Sequence, residues 1–166
     1  MHELALFYVG RFATTRAKLA TYLNRKLRER GWEGDAPAEV EKLVERLASS
    51  GLVDDALYAQ SKARSLTERG YGAARVRQSL RAAGIDESDG AEAQHLAAEG
   101  AADAALRFAR RRRIGPYAET APDRAGREKA LAGMIRAGHG FELARAVVEA
   151  EPGTELDLDD LQEKSR

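Results

Sequence analysis

Apolar residues recur at helical spacing along most of this chain. Val40, Leu43, Val44 and Leu47 follow the i, i+3, i+4, i+7 pattern that lines one side of an α-helix. Leu19, Leu23 and Leu27 form a second stripe, Val76, Leu80 and Ala83 a third, and Leu131 with Ile135 a fourth. Three of these stripes run into a glycine, at Gly31, Gly84 and Gly138, spaced 53 and 54 residues apart. Each interval has room for about three short helices, and helices of that length are not stable alone in water. They must bury their stripes against neighbours. The pattern therefore predicts an all-α chain without sheet, an elongated array of three tandem three-helix repeats with helix-turn-helix-like modules. The expected boundaries are residues 1–50, 51–100 and 101–150, followed by an acidic segment, 151–166, expected to be disordered.

Local signals place the elements. A first helix is expected over Leu4 to Phe12, and Thr14 or Thr15 suits the N-cap of the second. Asp35 suits the cap of the third, with Pro37 in its first turn and Trp32 plugging the first core. In the middle repeat Asp54 or Asp55 caps a helix carrying Ala56, Ala59, Ala63 and Leu66, which Gly70 and Gly72 end. The next helix buries Val76, Leu80 and Ala83, stops at Gly84, and Ile85 folds back onto the same core. A helix over Glu87 to Ala98 has Gly90 inside it. In the last repeat, helices are expected over 101–113, 124–137 and 141–150, with a loop from Tyr117 to Asp123 and a stop at Glu151-Pro152-Gly153.

Composition narrows the class. The 166 residues contain no cysteine, so disulfides and cysteine metal sites are excluded. No apolar run reaches the length of a membrane span, and Leu4 to Val9 is too short for a signal-peptide core. A cytoplasmic protein is expected. Formal net charge is zero, which argues against simple coating of DNA. The charges are nonetheless in blocks: +4 over 1–34, −4 over 35–60, +5 over 61–85, −6 over 86–106, +6 over 107–136 and −5 over 137–166. Such alternation fits an internal repeat.

The candidate chemistry is cationic. Arg75, Arg77 and Arg81 flank the Val76/Leu80 stripe, with Arg77 and Arg81 on one side and Arg75 on the other. A guanidinium presents a planar fork to carboxylates and phosphates. The plainer reading is a solvated face bonded to neighbouring acids. Arg110, Arg111, Arg112 and Arg113 are the densest positive run, but four consecutive helical residues span about 300° and cannot all face one ligand. The plainer reading there is a helix C-terminus favoured by its dipole. Asp54 and Asp55 lack the partners of an acid–base pair. His2, His95 and His139 are isolated, without metal-ligand spacing. Arg69-Gly-Tyr-Gly lacks the context of a phosphate loop. No catalytic, cofactor or metal site is expected.

Gly-Leu-Val-Asp-Asp at 51–55, Arg69-Gly70, and Arg-x-Val-Arg-Gln-x-Leu-x-x-x-Gly-Ile at 75–85 together resemble the middle of the RecX family of bacterial RecA regulators. The resemblance extends more loosely from about Leu4 to Val148. It implies three tandem three-helix repeats and binding along the groove of the RecA–single-stranded DNA filament. It also implies suppression of RecA ATP hydrolysis, strand exchange and co-protease activity, in DNA repair and the SOS response. The partner-contact residues it suggests are Arg64, Arg69, Arg75, Arg77, Arg81 and Arg110 to Arg113, on a monomer that contacts single- or double-stranded DNA weakly. The competing class is a tandem helix-turn-helix nucleic-acid binder without a RecA partner, reading through Arg16 to Arg30, Arg75 to Arg81 and Arg124 to Arg136. A third is a scaffold with no link to RecA. Salt-dependent binding to bare DNA separates the second class from the first.

Overall fold

A computed structural model describes residues 1–31 and 38–165. The expected roles of Trp32, Asp35 and Pro37 lie outside the described residues. The rest is helical, with no strand among the described residues. The helices are α1 His2–Val9, α2 Arg16–Arg30, α3 Val40–Ser49, α4 Asp55–Glu68, α5 Ala73–Ala82, α6 Glu87–Glu99, α7 Ala101–Arg112, α8 Arg124–Arg136, α9 Phe141–Glu149 and α10 Leu158–Glu163. A 3-10 turn covers Gly115–Tyr117. The first nine helices follow the order expected of three sets of three. α1 is shorter than expected: Gly10 follows it, and Phe12 stands outside the helix. Gly90 does not interrupt α6. The chain forms two compact units, residues 1–60 with 80–90, and residues 61–79 with 91–166, so the division passes within α4, α5 and α6.

The first unit buries Ala5 of α1, Leu19 and Leu23 of α2, and Val40, Leu43, Val44 and Leu47 of α3, with Val53 beyond. Leu19, Leu23 and the four residues of α3 belong to the predicted stripes, whereas Leu27, expected inside with them, is only partly buried. The start of α2 is its best-connected point. Thr15 is the N-cap: its hydroxyl accepts from the Lys18 N–H at 3.2 Å and donates to the Ala83 carbonyl at 2.6 Å. The Arg16 N–H donates instead to Asp55 Oδ1 at 2.9 Å. Asp54 caps α4 through the Leu57 N–H at 2.8 Å. The two neighbouring carboxylates therefore serve two different helices. Burial pushes the Asp55 carboxyl above its ordinary value, against the opposing pull of the Arg16 N–H. Gly84, with φ +71°, lies on the first turn of α2, where any Cβ would collide with the Cβ of Ala17. The stop glycine is thus required twice, for its positive φ and for this close approach.

The second unit repeats the device. The Gly72 N–H donates to the Ala137 carbonyl at 3.0 Å, and the Ala74 N–H to the Gly138 carbonyl at 3.1 Å. The end of α8 thereby meets the start of α5, and a Cβ on Gly138 would collide with the backbone of Arg75. The core comprises Ala101, Ala102, Ala105, Phe108 and Ala109 of α7, Met134 and Ala137, and Leu143, Ala144, Val147 and Val148 of α9. Ile135, expected inside, is 41% exposed, and Met134 is fully buried in its place. Met134 falls between Ala130 and Ala137 on the inward face, whereas Ile135 lies 100° further round.

The C-terminal segment departs from expectation. It is not disordered: α10 is capped by Asp157, which accepts from the Asp159 and Asp160 N–H groups, and Leu161 is 2% exposed within the second core. Gln162 completes the docking, donating to the Ala98 carbonyl at 2.9 Å and accepting from the Ala102 N–H at 3.3 Å. It thus satisfies backbone groups where α6 hands over to α7. The acidic composition is real, but one inward leucine and one amide suffice to anchor the segment. Removal of residues 151–166 is expected to lower the melting temperature, and Leu161→Ala alone to cost about 2–4 kcal/mol in urea unfolding. An unchanged midpoint for both variants would show that α10 does not dock.

Candidate functional site

Five cationic side chains and one carboxylate, Glu119, line a cleft of 720 Å3 in the second unit, between the end of α7 and the side of α8. Arg111, Arg112 and Arg113 contribute from α7, and Lys129 and Arg136 from α8. The floor includes Tyr71, Phe108, Ile114, Ala130 and Val148. The α7 arginines sit where unpaired helix carbonyls attract cations. Arg113 leaves the helix in a left-handed conformation, φ 53°, and lines the cleft. Arg110 stays outside, with its guanidinium carbon 5.0 Å from the Tyr117 ring. Three of the four arginines thus line the cleft and Arg110 does not.

The aromatic floor holds the cations in place. Arg111 and Arg112 lie 5.6 and 5.9 Å from the Phe108 ring centroid, at distances where the ring quadrupole attracts a cation. Arg111 also donates to the Arg69 carbonyl, fixing the end of α7 to the turn after α4. Arg113 is ion-paired with Glu119 at 2.7 Å. Among the described residues no carboxylate lies within 4.0 Å of Arg111, Arg112, Lys129 or Arg136. Four cations are thus available to an anionic ligand, over a surface that also accepts apolar groups.

The remaining arginines are placed as follows. Arg69 is exposed, 5.5 Å from the Tyr71 ring. Arg75 is exposed and bonds to Gln78 at 2.8 Å. Arg64, Arg77 and Arg81 are exposed on α4 and α5, and none of them lines the cleft. Sequence reasoning named Arg124 to Arg136 only as a recognition helix of the competing class, and did not join Lys129 and Arg136 to the arginine run. Their separation of seven residues puts them on one face of α8, with Gly126, Ala130, Gly133 and Ala137 between and beside them. A cationic pair bracketing a stripe of small residues was the available signal.

His139, which follows Gly138, is 4% exposed. Its Nε2 is 3.1 Å from the Gly70 carbonyl. A carbonyl only accepts, so Nε2 carries the proton in the neutral ring. Nδ1 is buried without a partner, and Phe108 meets the ring edge-on at 5.5 Å. Burial lowers its pKa from 6.5 to about 4, against the raising effect of the Gly70 bond. The described residues hold no group of three metal-ligating side chains, and none of their helices is long and apolar enough to cross a membrane.

Comparison with known proteins agrees with this architecture. The family signature described as RecX, second three-helix domain, matches residues 54–93. The regulatory protein RecX of Myxococcus xanthus is 35% identical over 162 residues, covering 92% of this chain and 86% of that protein. The chain belongs to the RecX family of regulatory proteins. RecX of Xanthomonas campestris pv. campestris strain B100 is 36% identical over 140 residues, covering 83% of this chain and 78% of the relative. A crystal structure of regulatory protein RecX superposes with a TM-score of 0.64 at 27% identity, covering 89% of this chain and 69% of that one. RecX from Lactobacillus salivarius shares the fold, with a TM-score of 0.63 at 20% identity, covering 89% and 92% of the two chains. The matched segment takes in Arg69-Gly70 and the motif over 75–85, but only Asp54 and Asp55 of the motif over 51–55. These regulators are three-helix-domain proteins, as the order of helices here also shows.

His139 gives a pH dependence of defined sign. Between pH 6.5 and about 4 the unfolded chain takes up the imidazole proton and the folded chain does not. This contribution is therefore fully present above pH 6.5 and is lost as pH falls towards 4, by about 3 kcal/mol in all. The difference in unfolding free energy between wild type and His139→Gln, measured from pH 7 to pH 4, is expected to show this slope. Parallel curves would show that the ring titrates normally.

Proposed function

We propose that this protein binds the RecA–single-stranded DNA filament and restrains RecA ATP hydrolysis, strand exchange and co-protease activity. The observation that carries the reading is the 35% identity to a RecX regulatory protein across 92% of the chain. The chemistry of the cleft supports it. A surface with four available cations above an aromatic and aliphatic floor suits a protein segment bearing both carboxylates and apolar side chains. Bare duplex DNA calls for a larger one-sign field than a chain of zero net charge supplies. Arg64, Arg69, Arg75, Arg77 and Arg81 extend the proposed contact outside the cleft. Exposed guanidiniums of this kind contribute orientation and encounter rate to an interface more than raw affinity. The reading requires no catalytic step by the protein itself, and has it acting as a monomer in the cytoplasm.

The test is RecA ATPase on single-stranded DNA with the protein titrated in. Inhibition that saturates is expected. Arg112→Glu with Arg136→Glu replaces two attractions by repulsions and is expected to raise the half-inhibition concentration at least tenfold. Arg77→Glu with Arg81→Glu is expected to weaken inhibition as well, since both positions are exposed and the fold is retained. Circular dichroism checks folding. Wild-type midpoints from both folded double variants would remove these arginines from the interface, and absence of any inhibition by wild type would remove the proposed role.

A further inference from the structure

We propose that the acidic C-terminal segment of one copy of this chain, residues 151–163, docks into the cationic cleft of a second copy. Both surfaces belong to the same compact unit, and their charges are complementary. The segment carries Glu151, Glu155, Asp159, Asp160 and Glu163, all exposed. Among the described residues no cation lies within 4.0 Å of any of these carboxylates. The cleft shows the converse. Arg111, Arg112, Lys129 and Arg136 are exposed there, without a carboxylate partner among the described residues. Leu158 stands beside Asp159 and is 46% exposed. It offers an apolar side chain to a floor that includes Ile114 and Ala130.

The segment is held away from the cleft of its own chain. Leu161 is 2% exposed in the second core, and Gln162 bonds to the Ala98 carbonyl and the Ala102 N–H. These contacts fix α10 at the start of α7. The cleft arginines leave the other end of α7, about 15 Å along the helix. At 100° per residue, Asp159 and Glu163 lie together on the side opposite Leu161. The anchor that buries Leu161 therefore turns this carboxylate pair outward. A pair presented on a docked helix is already ordered, so less freedom is lost when it binds. Net charge is zero, so no overall repulsion keeps copies apart. The contact is head-to-tail, the end of one copy in the cleft of the next. Exposed ion pairs are individually weak, which makes the association reversible and salt-sensitive. Self-association does not rest on the filament reading. Its consequence does: a cleft filled by a second copy is withheld from RecA, and the copy that meets the filament is a monomer.

Sedimentation equilibrium of the full chain at low salt should show an average mass that rises with concentration above that of one chain. In 1 M salt, where charges are screened beyond about 3 Å, the mass should return to that of one chain. Arg112→Glu with Arg136→Glu should raise the dissociation constant at least tenfold. Glu163→Arg alone, outside the capped first turn of α10, should weaken association as well. Adding Asp159→Arg and Glu163→Arg to the cleft pair should recover much of the lost association. Adding Glu41→Arg and Glu45→Arg on α3 instead gives the same net charge and should recover none. Circular dichroism and melting check that each chain folds; should the fourfold variant fail to fold, Glu163→Arg decides. The proposal is overturned if wild type stays a single chain at low salt, or if association survives 1 M salt or the cleft pair. Wild-type association in a folded Glu163→Arg variant overturns it too, as does equal recovery in the two compensated chains. These measurements contain no RecA, so their failure leaves the RecA assay untouched, and absence of RecA inhibition leaves self-association standing.

Discussion

In each compact unit a glycine that ends one helix lies directly on the first turn of a helix formed more than sixty residues earlier: Gly84 on Ala17, and Gly138 on Arg75. A helix end leaves carbonyls without partners, and a helix start leaves N–H groups. Bringing the two together lets each answer the other, provided the backbones approach closely. Thr15 meets the Ala83 carbonyl, while Gly72 and Ala74 meet the carbonyls of Ala137 and Gly138. Short helices with small apolar residues gain little from propensity alone. These junctions convert local helices into units with cores.

The same junctions position the candidate surfaces. In the second unit, His139 follows Gly138 directly and holds the Gly70 carbonyl, while Arg111 holds the Arg69 carbonyl. The turn after α4 is thus fixed from two sides, and the cleft wall with it. In the first unit, Asp55 and Thr15 fix the start of α2, the helix that carries Lys18, Tyr22 and Arg25. Charge adds selectivity to this geometry. Zero net charge suppresses indiscriminate attraction, yet four cations remain unmatched in one cleft, where a partner with complementary carboxylates gains most.

The stripes were legible because helical periodicity is local. Val40, Leu43, Val44 and Leu47 needed no tertiary information, nor did the Asp54 cap. What was not legible depends on distant partners. Asp55 looks like a second cap for α4, but its partner is the Arg16 amide, 39 residues away. Leu131 and Ile135 suggested one stripe of α8, and the small residues Ala130 and Ala137 decided for Met134. The acidic terminus read as unfolded because composition averages over residues, while docking turns on Leu161 and Gln162. The arginine run was visible, but its convergence with Lys129 and Arg136 is a product of the fold. The recurrence of glycine at 84 and 138 was seen as helix stopping, and the contact that demands it was not.

The claim that docking, beyond helix termination, fixes these glycines is tested by comparing Gly84→Ala with Gly51→Ala in urea unfolding. The two glycines have nearly equal φ, +71° and +74°, but a Cβ on Gly51 meets nothing within 4 Å, whereas one on Gly84 collides with Ala17. Both variants bear the left-handed penalty of about 1–2 kcal/mol. Gly84→Ala is expected to lose a further 1–3 kcal/mol or so from the forced separation. Equal losses in the two variants would contradict the account, because glycine would then serve at position 84 only to end a helix.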